Sequence, residues 1–201
     1  MSDTREKILS TSLDLFSHYG YEAVSIRDIS SKVGIKESSI YYHFASKQAI
    51  FEELLDRFEN MAADMMAQLE QAISVGSGMD KDGLGAVCSH FFDGYLMEPY
   101  CNSVLRLLTM EQYHSAKARS LYRRWLFDEP LGFQTRIFAQ LLPGRKSEAG
   151  YIAVKFYAPI YLYSQRWLLC GTLSEGDKAS FRADAYRHVR SFSSELEAGN
   201  G

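Results

Sequence analysis

From Lys36 to Lys47 the chain reads KESSIYYHFASK, a run of cationic, hydroxyl and aromatic side chains with the chemistry of contact rather than of bond making. On a helix turning about 100° per residue, Glu37, Ile40, Tyr41 and Phe44 fall on one arc and Lys36, Ser38, Ser39, Tyr42 and His43 on the other. The first arc is expected to pack inward and the second to face out. Lys and His can donate to phosphates, serines allow close approach to a groove, and a tyrosine ring can touch a thymine methyl. Chemically, the outer strip suits DNA reading. Charge supports this weakly. Arg27, Lys32, Lys36 and Lys47 outnumber Asp28 and Glu37 between Ser25 and Gln48, yet the first fifty residues balance at six basic and six acidic. On charge alone, solvated side chains on a small bundle are the better explanation.

The elements that would carry this strip are legible from periodicity. Asp3 and Glu6 form a plausible N-cap pair ahead of Ile8, Leu9, Leu13 and Phe16, and Gly20 stops the helix. Ser25 stands in capping-box spacing to Asp28, followed by Ile26, Ile29 and Val33 and a stop at Gly34. A tight turn leads to the helix bearing the strip, and Ser46 offers a cap to a fourth helix with Ile50, Leu54, Phe58 and Met65. Two short helices around a Gly-containing turn have the spacing of a helix-turn-helix.

The stretch from Ile8 to Ile50 resembles the N-terminal domain of the TetR family of bacterial transcription regulators. The resemblance rests on ILSTSLDLFSHYGYEAVSIRDIS (Ile8 to Ser30) and GIKESSIYYHFASK (Gly34 to Lys47), with Leu-Phe, Gly-Tyr, Asp-Ile, Tyr-Tyr-His-Phe and the following Lys in register. It implies a homodimeric regulator, usually a repressor, released from double-stranded operator DNA by a small-molecule effector; a cytoplasmic location is expected separately, from the polar opening MSDTREKILS without a signal-peptide apolar run. By position it implies backbone contacts for Ser25 and Arg27, and groove contacts for Lys36, Ser38 and Ser39. Tyr41 and Tyr42 would divide between phosphate and thymine methyl, and His43 and Lys47 would hold phosphate. Tyr41 sits uneasily with its place on the inward arc.

The rest of the chain reads as helical, about Leu84 to Met97, Cys101 to Gln112, Ala116 to Phe127 continuing to Leu142 but kinked or broken at Pro130, Glu148 to Cys170, and Asp177 to Leu196. Ser74 to Gly83 reads as a loop. The expectation is an all-α protein of about nine helices: a three-helix DNA-binding domain over 1–48 and a helical ligand-binding and dimerisation domain over 49–201. Large adaptable side chains in the second, among them Met65, Phe92, Tyr95, Met110, Phe127, Phe156 and Tyr157, are candidates to line an effector cavity, although any helical core needs such residues. His90, Asp93, Glu98, Arg106, Glu111 and His114 are candidate polar anchors. The apolar helix near Glu148 to Cys170, with the last helix, is the candidate dimer surface.

Other classes have less support. The net charge of −3 gives no global polyanion signature, and Cys88, Cys101 and Cys170 are expected as buried thiols. The five histidines lack metal-ligand spacing, no nucleophile context suggests an enzyme, and no cofactor is expected. Tyr151 to Leu169 is interrupted by Lys155, Pro159, Gln165 and Arg166, so it falls short of the roughly 20 apolar residues of a membrane span. The rival reading is a helical protein-interaction or ligand-binding module without DNA-binding activity.

Overall fold

The structure is a computed structural model that describes residues 2–75, 81–171 and 173–198, and among these residues every regular element is helical. Two compact units form, one from residues 1–61 and 99–121, the other from 62–98 and 122–201.

In the first unit, α1 (Ser2–Tyr19) buries Ile8, Leu9, Leu13 and Phe16 on one stripe and ends where Gly20 turns to φ +83. Asp3 is not its cap. The helix already begins at Ser2, and the Asp3 carboxylate instead accepts from Lys7 Nζ at 2.8 Å, one turn on. α2 (Ile26–Val33) and α3 (Glu37–His43) follow, and α4 runs unbroken from Lys47 to Val75, straight through residue 48. Residues 99–121 of this unit comprise α6 (Pro99–Glu111) and the start of α7 (Ala116–Arg123). The Tyr100 hydroxyl donates to the Leu54 carbonyl at 2.8 Å, tying α6 to α4, and α6 also packs along α1. Arg57 on α4 bridges Glu6 and Glu53, and Arg5 pairs with Glu53, so α1 and α4 are cross-linked by a charge network.

The second unit contains the rest of α4, then α5 (Lys81–Phe91), α8 (Glu129–Leu141), α9 (Ala149–Ser164) and α10 (Glu175–Ala198). Gly83, expected in a loop, lies inside α5, while Gly76 and Gly78 of that loop lie outside the described residues. Three single turns of wider π geometry, Phe92–Leu96, Arg124–Asp128 and Gln165–Leu169, continue α5, α7 and α9.

The second of these turns has a readable cause. Pro130 has no N–H, so it cannot serve the carbonyl five residues back in π register or four back in α register. Those are the carbonyls of Trp125 and Leu126. Each receives a buried tyrosine hydroxyl instead: Tyr95 donates to Trp125 at 3.2 Å and Tyr157 to Leu126 at 2.9 Å. In place of the expected kink or break, Pro130 follows a widened turn in a continuous helical run, bonded to the π turn after α5 and to α9. Burial pushes the Tyr157 hydroxyl far above its ordinary pKa, so it remains a donor.

One expectation about burial is corrected. Cys88 and Cys101 are buried, but Cys170 is exposed, because it sits where the chain leaves the last π turn toward Gly171 at φ +75. α9 buries one side and leaves the other open: Tyr151, Val154 and Leu162 are 67%, 48% and 62% exposed, on the face opposite Ile152, Phe156 and Ile160.

Tyr157→Phe keeps the ring and deletes the hydroxyl, leaving the Leu126 carbonyl without that donor. We expect a loss of about 1–2 kcal/mol in urea unfolding with the m-value unchanged, and a loss below a few tenths would show that another group takes over the carbonyl.

Candidate nucleic-acid interface and effector cavity

The strip singled out in the sequence is carried by α3, whose placement is fixed by its neighbours. Ser25 caps α2 in a complete capping box: its hydroxyl accepts from Asp28 N–H at 3.2 Å and donates to the Asp28 carboxylate at 2.6 Å, which also accepts from Ser25 N–H at 2.8 Å. These bonds hold the Asp28 carboxyl below its usual pKa, and they commit the Ser25 proton locally. At the other end Gly34, at φ +80, donates to the Ser30 and Ser31 carbonyls, and Ile35 N–H returns to Ser30. No atom lies within 4 Å of where a Gly34 Cβ would be, so it is the left-handed backbone, not space, that calls for glycine.

α3 then presents its face. Ile40 is fully buried and Phe44, just past the helix, is buried under the Arg5 guanidinium at 4.6 Å. The remainder of the expected inward arc faces out. Glu37 is exposed and Tyr41 is 54% exposed, because a seven-residue helix packed chiefly on α2 has room to bury only one side chain. This correction removes the conflict between Tyr41's position and its implied contact. Tyr42 is 75% exposed, its ring edge-on to His43 at 5.0 Å. Lys36 and Ser38 are exposed, and Ser39 and His43 are partly so.

The four cations near this face differ in what they hold. Lys32 is bonded to Asp14 of α1, which raises its pKa. Lys47 Nζ donates to the carbonyls of Tyr21 at 2.8 Å and Val24 at 2.9 Å, and lies 4.1 Å from the Tyr21 ring centre. The same Tyr21 donates its N–H to Glu111 Oε1 at 2.9 Å, a buried carboxylate at the end of α6. Lys47 therefore closes the α1–α2 turn onto the first turn of α4. Arg27 and Lys36 are exposed, and their side chains make no hydrogen bond or ion pair to the described residues, which leaves them as the uncommitted cations of this face.

In the second unit a cavity of about 30 Å³ lies among Met66 of α4, Leu84, Val87, Cys88 and Phe91 of α5, Phe92, Pro130, Phe133, Gln134 and Ile137 of α8, and Phe156 and Ile160 of α9. Of the expected lining residues, Phe92 and Phe156 are there. Met65 is buried beside the wall residue Met66, and Tyr95 and Tyr157 are spent on the Pro130 turn. Met110 belongs to the first unit, and Phe127 stacks on Tyr122 and Tyr161. The polar anchors named from sequence are absent from the wall: Asp93 pairs with Arg182 of α10, and Glu111 holds Tyr21. The polar group that does line it, Gln134, carried no sequence signal beyond its place at the apolar period of α8 with Pro130, Phe133 and Ile137. Among the described residues there is no His, Cys, Asp or Glu cluster able to hold a metal, and no helix long and apolar enough to cross a membrane.

Residues 8–54 match the family model described as "Bacterial regulatory proteins, tetR family". The "Uncharacterized HTH-type transcriptional regulator YerO" of Bacillus subtilis is 31% identical over 74 residues, 37% of this chain and 26% of that protein. The "Biofilm operon icaADBC HTH-type negative transcriptional regulator IcaR" of Staphylococcus aureus is 43% identical over 49 residues, 24% of this chain and 26% of its own length. The matched stretch thus spans about a quarter of the length of these curated relatives. The crystal structure of a TetR-family transcriptional regulator from Bordetella parapertussis aligns with a TM-score of 0.66 at 19% identity, over 96% of this chain and 95% of that one. The chain carries the TetR-family N-terminal domain on a TetR-type helical fold.

Proposed function

We propose that this protein is a sequence-specific DNA-binding transcription regulator, acting as a homodimeric repressor that a small molecule releases from its operator. The observation that carries the reading is the face of α3: Lys36, Ser38, Tyr41 and Tyr42 point outward from a helix anchored by Ile40, within the stretch that matches the family model. Negative regulation is supported by the likeness to IcaR, a negative transcriptional regulator 43% identical to this chain over 49 residues. The functional boundary we place at residue 48, with the reading head before it. α4 begins at Lys47 beside the head and contributes Met66 to the cavity wall, so a shift of one helix can connect ligand to DNA.

Within the head, Arg27 would contact phosphate; Lys36, implied as a groove contact by the resemblance, stands at the N-cap ahead of α3 and is assigned to phosphate instead, while Ser38, Ser39 and Tyr42 would enter the groove and Tyr41 and His43 hold the flanking backbone. Ser25 would serve mainly through the capping box that sets the start of α2. Two heads on a palindrome require two chains, and the exposed apolar face of α9 is the surface on which a second copy would sit.

Titration of duplexes across a salt series tests the DNA reading. Arg27→Ala and Lys36→Ala should each weaken operator and random DNA alike and lower the log–log salt slope by roughly two units per dimer, one contact from each head. Ser39→Ala should weaken operator more than random DNA, since groove contacts carry sequence. Full-length protein that binds neither duplex at low salt would refute the reading.

For the dimer, Leu162→Glu places a carboxylate at the C-terminal end of the exposed α9 face. Sedimentation should show monomers, with operator binding weakened at least tenfold as the second head is lost. A variant that remains dimeric would move the interface elsewhere.

A further inference from the structure

α8 turns Pro130, Phe133, Gln134 and Ile137 toward the cavity, the spacing of one helical face. Three are apolar and the fourth is an amide. Gln134 is 8% exposed, and its Oε1 is buried without a hydrogen-bond donor among the described residues. A buried carbonyl of this kind is costly to leave unmade, and a leucine at the same position would avoid the penalty. The rest of the wall is apolar: four phenylalanines, Phe91, Phe92, Phe133 and Phe156, with Leu84, Val87, Ile137 and Ile160. Its thiol, Cys88, is pushed up to about 12 by burial and is neutral and unreactive. No wall residue is charged, so an ionic ligand would lose its hydration without a counter-charge.

These features define a ligand class. We propose that the cavity binds a small neutral aromatic molecule carrying one hydrogen-bond donor, a phenol or an aromatic alcohol, whose hydroxyl donates to Gln134 Oε1 while its ring packs among the phenylalanines. The free volume of about 30 Å³ exceeds the roughly 10–15 Å³ that a water needs but falls far below the roughly 300 Å³ of drug-sized pockets. The occupant is accordingly of single-ring size and displaces its wall on entry. Met66, unbranched and flexible, is the side chain suited to give way. This assignment names the effector chemistry of the proposed regulator and depends on that reading only for the consequence at DNA.

Calorimetric titration of the full-length protein with phenol, toluene and benzoate, in the absence of DNA, is the test. Phenol should bind saturably and more tightly than toluene, which has the same shape without the donor, and benzoate should not bind. Gln134→Leu should weaken phenol roughly tenfold, leave toluene unchanged or tighter, and raise the melting temperature of the free protein; Gln134→Met replaces it if circular dichroism shows that the leucine variant is misfolded. Absence of saturable phenol binding, equal binding of benzoate, or undiminished phenol affinity in the variant would each overturn the assignment. A parallel operator titration separates the two claims. Phenol binding without effect on DNA leaves the site standing and removes the sensing role, whereas intact operator binding with no phenol binding removes the site alone.

Discussion

The ammonium of Lys47, caught between the carbonyls of Tyr21 and Val24, is the contact on which the geometry of the reading head rests. The chain between α1 and α2 has to reverse in a few residues and deliver Ser25 to the start of α2. Gly20 allows the reversal, and Lys47 holds it closed against α4. Tyr21 is the shared member: its ring packs on Phe16 and Phe51, its carbonyl accepts from Lys47, and its N–H donates to Glu111. Two charged side chains thereby fix one turn, Lys47 through the Tyr21 and Val24 carbonyls and Glu111 through the Tyr21 N–H. A turn held in this way gives α2 a defined origin, and α3 inherits its orientation through Ser30, Gly34 and Ile35.

Much of this head was legible in the sequence because it is governed by local rules. The Ser25–Asp28 box, the Gly34 stop and the buried Ile40 follow from spacing and backbone preference alone. Exposure on α3 was less legible. A helical wheel assumes that an arc of the helix is covered, but seven residues against one short neighbour cover a single side chain, and Glu37 and Tyr41 stay out. Lys47 illustrates a different limit: its type and its family position suggest phosphate, whereas its bonds depend on a turn more than twenty residues away.

The second unit was legible as helices and hardly at all as a site. Aromatic and sulfur-containing residues serve core and cavity equally, so their types did not separate Phe92 and Phe156 from Tyr95 and Tyr157. What separates them is Pro130. The proline removes one N–H, the rod widens, and two tyrosine hydroxyls are recruited to the stranded carbonyls. One turn beyond Pro130 on the same face, Gln134 stands in an otherwise apolar wall with its Oε1 buried and without a donor among the described residues. A satisfied polar network at Trp125 and Leu126 and an unsatisfied polar atom at Gln134 thus flank Pro130 on one helical run, and it is the unsatisfied one that marks the place proposed for a ligand.

The claim that Lys47 acts by closing the turn, not by neutralising DNA, is open to direct measurement. Lys47→Met retains the stem and removes the ammonium. Amide hydrogen exchange at Tyr21 to Val24 should accelerate, and affinity for operator and random duplex should both fall, with the slope of log K against log salt unchanged. Unchanged exchange together with a slope smaller by about two units per dimer would contradict it, and would place the Lys47 ammonium on phosphate instead.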